Sequence, residues 1–119
     1  MIPVNSTTEE KVPVYVNPKT KAGKDAPVDG RPVLAITSGG ATAVNSTQAE
    51  ADQHLADTGN AGLAGYLVSE DVNGSSEWSV TADAQPGDGI VTISETGTYT
   101  YSTALAVSLG VGAGTPVTK

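Results

Sequence analysis

WSVTADAQPGDGIVTISETGTYTY, residues 78–101, is two alternating runs separated by a Pro-Gly-Asp-Gly turn. In a strand, residues two apart share a face. Trp78, Val80, Ala82 and Ala84 therefore point one way, and Ser79, Thr81 and Asp83 the other. After the turn, Val91, Ile93, Glu95, Gly97, Tyr99 and Tyr101 share one face, opposite a face of Thr and Ser. The pattern predicts a hairpin with one apolar side. Glu95 on that side, followed by Gly97, suggests a bulge that shifts the register. Trp78, the only Trp, reads as the anchor of the core.

Composition extends the β reading to the rest of the chain. Val outnumbers Leu 14 to 6, and Thr, Ser and Gly are abundant. β-branched side chains suit a pleated surface and lose rotamer freedom in a helix. The 119 residues suit one domain. Leu, Ile and Val together supply only 24 of them, so the core is thin and the chain ends are expected to be loose.

Outward from the hairpin, residues 1–11 are polar and unpatterned and read as an N-terminal arm. VPVYVNP (12–18), with a proline near each end, reads as an edge strand. A loop rich in Lys, Gly and Pro (19–32) leads into PVLAITS (32–38), a continuous apolar run expected to be a buried strand. GGATAVNS continues it after a Gly-Gly break. Residues 47–57 are the one helical candidate: Thr47 and Glu50 have the spacing of a capping box, but the apolar face is only Ala51 and Leu55. TGNAGLAG (58–65) reads as a mobile Gly-rich segment, YLVSEDV (66–72) as a strand and NGSS (73–76) as a turn. Residues 104–119 carry Leu105, Val107, Leu109 and Val111 among close glycine breaks and form a tail that needs something to lie against.

The charge narrows the partners. Residues 26–118 hold one Arg against ten carboxylates, which disfavours phosphate backbones and hence nucleic acid. No run approaches the 18 apolar residues of a membrane span, and residues 1–25 have no apolar core of a signal peptide. Without Cys there is neither a disulfide nor a thiolate metal site.

No chemistry-bearing constellation stands out. His54 is the only histidine and reads as a surface residue. Asp83 with Asp88, and Glu70-Asp71 with Asn73, are the two carboxylate groups that calcium could use, but neither has EF-hand spacing and Asp and Gly are what tight turns need. The three sequons, at Asn5, Asn45 and Asn73, are of the kind a Ser/Thr-rich chain generates by chance. The expectation is a non-enzyme with no catalytic residue, no cofactor and no metal.

Val28-Asp29-Gly30, Pro32-Val33, Val80 to Asp83 and Ile90 to Thr96 together resemble bacterial immunoglobulin-like (Big) domains. In that family a loop ending VDG-x-P-V feeds a buried strand, and a late VTADA…GDG strand pair closes the sandwich. The family's usual Trp after the G-x-P element is here replaced by Leu34-Ala35, and the chain carries extra residues around 45–65. The tail, with Ala106, Ser108, Leu109, Gly110, Ala113, Gly114, Thr115, Pro116 and Lys119, resembles the ends of single-domain versions among tailed-bacteriophage structural proteins.

The resemblance implies an all-β, immunoglobulin-like β-sandwich of about seven strands with extended terminal segments: arm 1–11, sandwich 12–103, tail 104–119. It implies a virion structural or accessory protein, above all a capsid decoration (cement or head-fibre) protein. Such a protein is made in the host cytoplasm and bound to phage capsid or tail proteins, and a homo-oligomer on the particle is compatible with it. The alternative is a tail-associated or cell-surface, carbohydrate-binding adhesion module of the same fold.

Overall fold

The computed structural model describes residues 1–84, 87, 89–106 and 108–119. Among these, seven strands and one helix form two packed sheets. In chain order they are β1 (Ile2–Thr7), β2 (Lys11–Tyr15), β3 (Asp29–Ser38), β4 (Thr42–Asn45), α1 (Gln48–Thr58), β5 (Leu63–Val68), β6 (Gly74–Asp83) and β7 (Thr92–Ser102). One sheet has the order β1-β7-β6-β3 and the other β2-β5-β4. All pairings are antiparallel except β1 with β7, the first strand with the last.

Lettered A to G in chain order, the sheets are A-G-F-C and B-E-D. The immunoglobulin constant arrangement places A, B, E and D in one sheet and C, F and G in the other. This chain departs at its first strand, which leaves the position beside β2 and lies along β7 instead.

The core forms where the two sheets overlap. Val14, Leu34, Leu67, Trp78, Tyr99 and Tyr101 are buried against one another. Trp78 is 2% exposed, as the alternation predicts, and its indole N–H donates to the Thr98 carbonyl. Gly97, directly opposite Trp78 across the β6–β7 pair, explains the fit: a Cβ there would stand 2.3 Å from the indole ring. The register runs unbroken from Thr92 to Tyr101, so the suggested bulge at Glu95 is absent and Gly97 serves close packing instead. Both buried tyrosines satisfy their hydroxyls. Tyr99 Oη shares a hydrogen bond with Ser6, and Tyr101 Oη donates to Glu70 and meets Ser76, whose oxygen accepts the Ala41 N–H.

Several local expectations change. The N-terminal arm is a strand over Ile2–Thr7, held by β7 despite its lack of pattern, because backbone hydrogen bonds are indifferent to side chains. β3 is an edge strand, not a buried one: Pro32 and Leu34 face inward, while Val33 is 53% exposed. Its pairing with β6 skips from Asp29 to Val33 around Gly30, which sits at φ +71°, so the VDG-x-P-V element is a bulge. The Gly-rich segment 58–65 ends inside the protein, with Leu63 and Ala64 buried at the start of β5. NGSS is not a turn; β6 already begins at Gly74.

The helix forms with its capping box complete: Thr47 Oγ1 accepts the Glu50 N–H, and the Glu50 carboxylate accepts the Thr47 N–H. Gly59 closes it in the left-handed region at φ +78°. Its apolar face is as meagre as the sequence implies. Ala51 is buried, but Leu55 is 44% exposed, so polar contacts hold the helix instead. His54 Nε2 is 2.6 Å from the Tyr15 hydroxyl, and its Nδ1 is 3.3 Å from that of Tyr66. Arg31, released by the β3 bulge, donates to the Gln48 side chain and to the Leu63 and Ser46 carbonyls.

Candidate docking interface

β6 and β7 are about twice as long as the strands that face them: 10 and 11 residues against 5, 6 and 4 in β2, β5 and β4. A sheet covers only what lies beneath it, so the turn-proximal half of the hairpin extends past the second sheet. On its inward face Val80 still packs on the margin of the core, whereas Ile93 and Glu95 stand exposed. Ile93 is 46% exposed and Val91 51%, although they share a face with fully buried Tyr99. Between this face and the end of β2 lies an open groove of about 400 Å³, floored by Trp78 and lined by Ile2, Val14, Val16, Val80 and Ile93. Lys19 and Glu95 supply its charged margin.

The groove runs beside two open strand edges. β1 pairs with β7 only from Gly97 onward, so among the described residues no strand lies on that side of Thr92–Thr96. Among the described residues no strand lies on the outer edge of β2 either, since β1 belongs to the other sheet. Pro13 removes one backbone donor from β2 and blunts it as a template. Thr92–Thr96 contains no proline and is open along its length.

At the other end of β7, residues 103–106 and 108–119 leave the sandwich, and Val107 lies outside the described residues. Thr103 is still tied to Asn73. Beyond it Leu105, Leu109, Val111 and Val117 are 84 to 90% exposed. The radius of gyration is 20.1 Å and the longest dimension 83 Å. A compact globule of this length would have a radius near 13.5 Å. The tail therefore projects and does not fold back, in accord with the expected extended terminus.

Asp83, Glu70 and Asn73, three of the residues that calcium could use, have structural partners. Asp83 accepts the Val91 N–H across the base of the turn. Asp88 and Pro86 lie outside the described residues, and Gly87 and Gly89 beside them have positive φ, as a tight turn needs. Glu70 accepts from Tyr101, and Asn73 from Thr103. Among the described residues no group of three or more His, Asp or Glu could hold a metal ion. Of the sequon positions, Asn45 is structural: its amide both accepts from and donates to the Leu34 backbone, linking the two sheets. His54, read as a plain surface residue, is the link between α1 and the tyrosines of β2 and β5. Its signal was obtainable only from Tyr15 and Tyr66, far away in sequence.

The charges are mostly unremarkable in position. Glu50 and Glu10 are held below the ordinary carboxylate range, in each case first by a backbone N–H, from Thr47 or Thr7, and then by the same threonine's side chain. Lys19 pairs with Asp25. No helix is long and apolar enough to cross a membrane among the described residues.

No family model matches the chain, and neither a curated protein nor a solved structure matches it.

Proposed function

We propose that the chain is a non-enzymatic structural protein of a tailed-bacteriophage particle, a capsid decoration protein that occupies a repeated site. The observation that carries this reading is the projecting tail. Its aliphatic side chains stand almost fully in water, and each would gain about 1.5–3 kcal/mol on burial. A repeated assembly supplies that cover, and the tail is what anchors each copy in it. The VDG-x-P-V and VTADA…GDG resemblance to bacterial immunoglobulin-like domains, and that of the tail to phage structural proteins, point the same way. The two-sheet sandwich is compatible with both.

The test is direct. Purified particles from the source phage should contain the protein in a fixed copy number related to the capsid lattice. Deletion of residues 105–119 should release it from the particle. Particles that lack the protein altogether, or retain the deletion variant at full occupancy, would sink the reading. Binding of the free protein to glycans would favour an adhesion module instead.

A further inference from the structure

The tail has its complement in the same chain. Residues 105–111 read Leu-Ala-Val-Ser-Leu-Gly-Val. Drawn out as a strand, this strict period-2 alternation puts large aliphatics on one face and Ala, Ser and Gly on the other; in the free tail Gly110 sits in the left-handed region at φ +57°, so the end of the run must straighten to pair. Such a segment is a strand without a sheet. The open half of β7, Thr92–Thr96, is a sheet edge without a strand, and it borders an apolar groove without a lid. We propose that residues 105–111 of one copy add as a strand to the Thr92–Thr96 edge of a second copy, with the aliphatic face filling the groove. Backbone hydrogen bonds to the edge and alternate side chains in the groove are the means by which strand addition gains affinity and specificity.

Chain length decides whose groove is filled. Groove and tail lie at opposite ends of β7, and Ser102 to Glu95 is seven residues, about 24 Å of strand. Leu105 reaches at most about 11 Å from Ser102, and Leu109 about 25 Å with nothing left over for a turn. The alternating run is therefore too close to its own sandwich to lie in its own groove, and only another molecule's tail can seat it. Charge favours the same occupant. The sandwich is acidic, and at the contact itself it meets residues 103–118, which carry no charge, and the basic Lys119. Because donor and acceptor occupy opposite ends, the contact is head-to-tail, and it builds rings or filaments. The inference shares with the reading above only the idea that the tail docks, and it needs no phage.

The full-length protein tests it by sedimentation velocity over a wide concentration range. Mass should rise with concentration. Leu105→Asp with Leu109→Asp disables the tail, and Ile93→Arg disables the groove, so each variant should be monomeric. An equimolar mixture should pair again, since one partner keeps its tail and the other its groove, and should stop at 1:1. A monomeric wild-type protein at every concentration, persistent association of either variant, or a mixture that stays monomeric would overturn the proposal. Should Ile93→Arg not fold, amide exchange in the unaltered protein decides: protection at Thr92–Thr96 must rise with concentration, and unchanged protection counts against strand addition. Self-association and presence in the particle are separate readouts, so either reading can fail alone.

Discussion

The two halves of β7 carry the same alternation and end in opposite environments. Tyr99 and Tyr101 are sealed, whereas on the same face Ile93 is 46% exposed and Glu95 stands in solvent. Nothing local distinguishes them as strand. The difference lies across the gap: the strands of the second sheet are about half as long, and beyond Trp78 on this face only Val80 still packs on the core. Alternation thus reports which way a side chain points, and the length of the opposing sheet reports whether pointing inward means burial. The covered half builds the fold, and the uncovered half is the face that we propose a second copy's tail fills.

The strongest way to break this division is at its border. Trp78 is the largest side chain of the covered half. Trp78→Ala should cost about 3–5 kcal/mol, a large fraction of the stability of such a domain. Urea denaturation followed by far-ultraviolet circular dichroism measures it. A cost below about 1 kcal/mol would mean that the sealed half is not what holds the sheets together.

Next comes Gly97, where the covered half begins. A side chain there meets the indole at 2.3 Å and the Ile2 carbonyl at 2.5 Å. Gly97→Val should destabilise by about 1–3 kcal/mol through overpacking and shift the near-ultraviolet signal of Trp78. An unchanged Trp signal would show that the pair is looser than the packing implies.

These two residues also mark how far the sequence was legible. Trp78, the hairpin faces, the capping box and the projecting tail all follow from local patterns, and each is where the pattern placed it. β1 was invisible because it is held along the β7 backbone, and its own contributions, Val4 on the core and Ser6 on Tyr99, do not stand out in a polar, unpatterned segment. The apolar run 32–38 misled because continuous hydrophobicity suggests two covered faces, yet Val33 and Thr37 face outward on an edge strand. The groove was illegible for a different reason. It arises from a mismatch between strands far apart in the chain, and single-strand periodicity contains no term for that. His54 belongs to the same class, since its partners are 39 and 12 residues away.

The helix offers a smaller test, because its hold on the sandwich is polar. Thr47→Ala removes one side of the capping box and should cost about 1 kcal/mol. Glu50 adds a pH signature. Its carboxyl is depressed by the Thr47 backbone N–H and then by the Thr47 hydroxyl, so the charged form is the one the fold favours. That contribution is complete above the unfolded-state value near 4.3. It fades as pH falls through the lower folded value. Helical circular dichroism should therefore hold to mildly acidic pH and loosen below it, and Glu50→Gln should flatten that dependence. An identical acid profile in the variant would locate the sensitivity elsewhere.

The smallest expected effect is the most informative about the comparison. Ile93 and Tyr99 lie on one face of one strand, six residues apart. If burial requires an opposing sheet, Ile93→Ser should change the stability of the dilute monomer by no more than about 0.5 kcal/mol, in the range of ordinary surface substitutions. In the covered half, Leu34→Ala should cost about 2–5 kcal/mol by the cavity it leaves. Chemical denaturation of both variants at the same low concentration gives the ratio. A cost at Ile93 approaching that at Leu34 would mean that the groove is closed in solution, either by the second sheet or by a segment already seated there. Repeating the Ile93→Ser measurement after removal of residues 105–119 separates those cases. The cost should vanish with the tail if the tail is the lid, and remain if the sheet is.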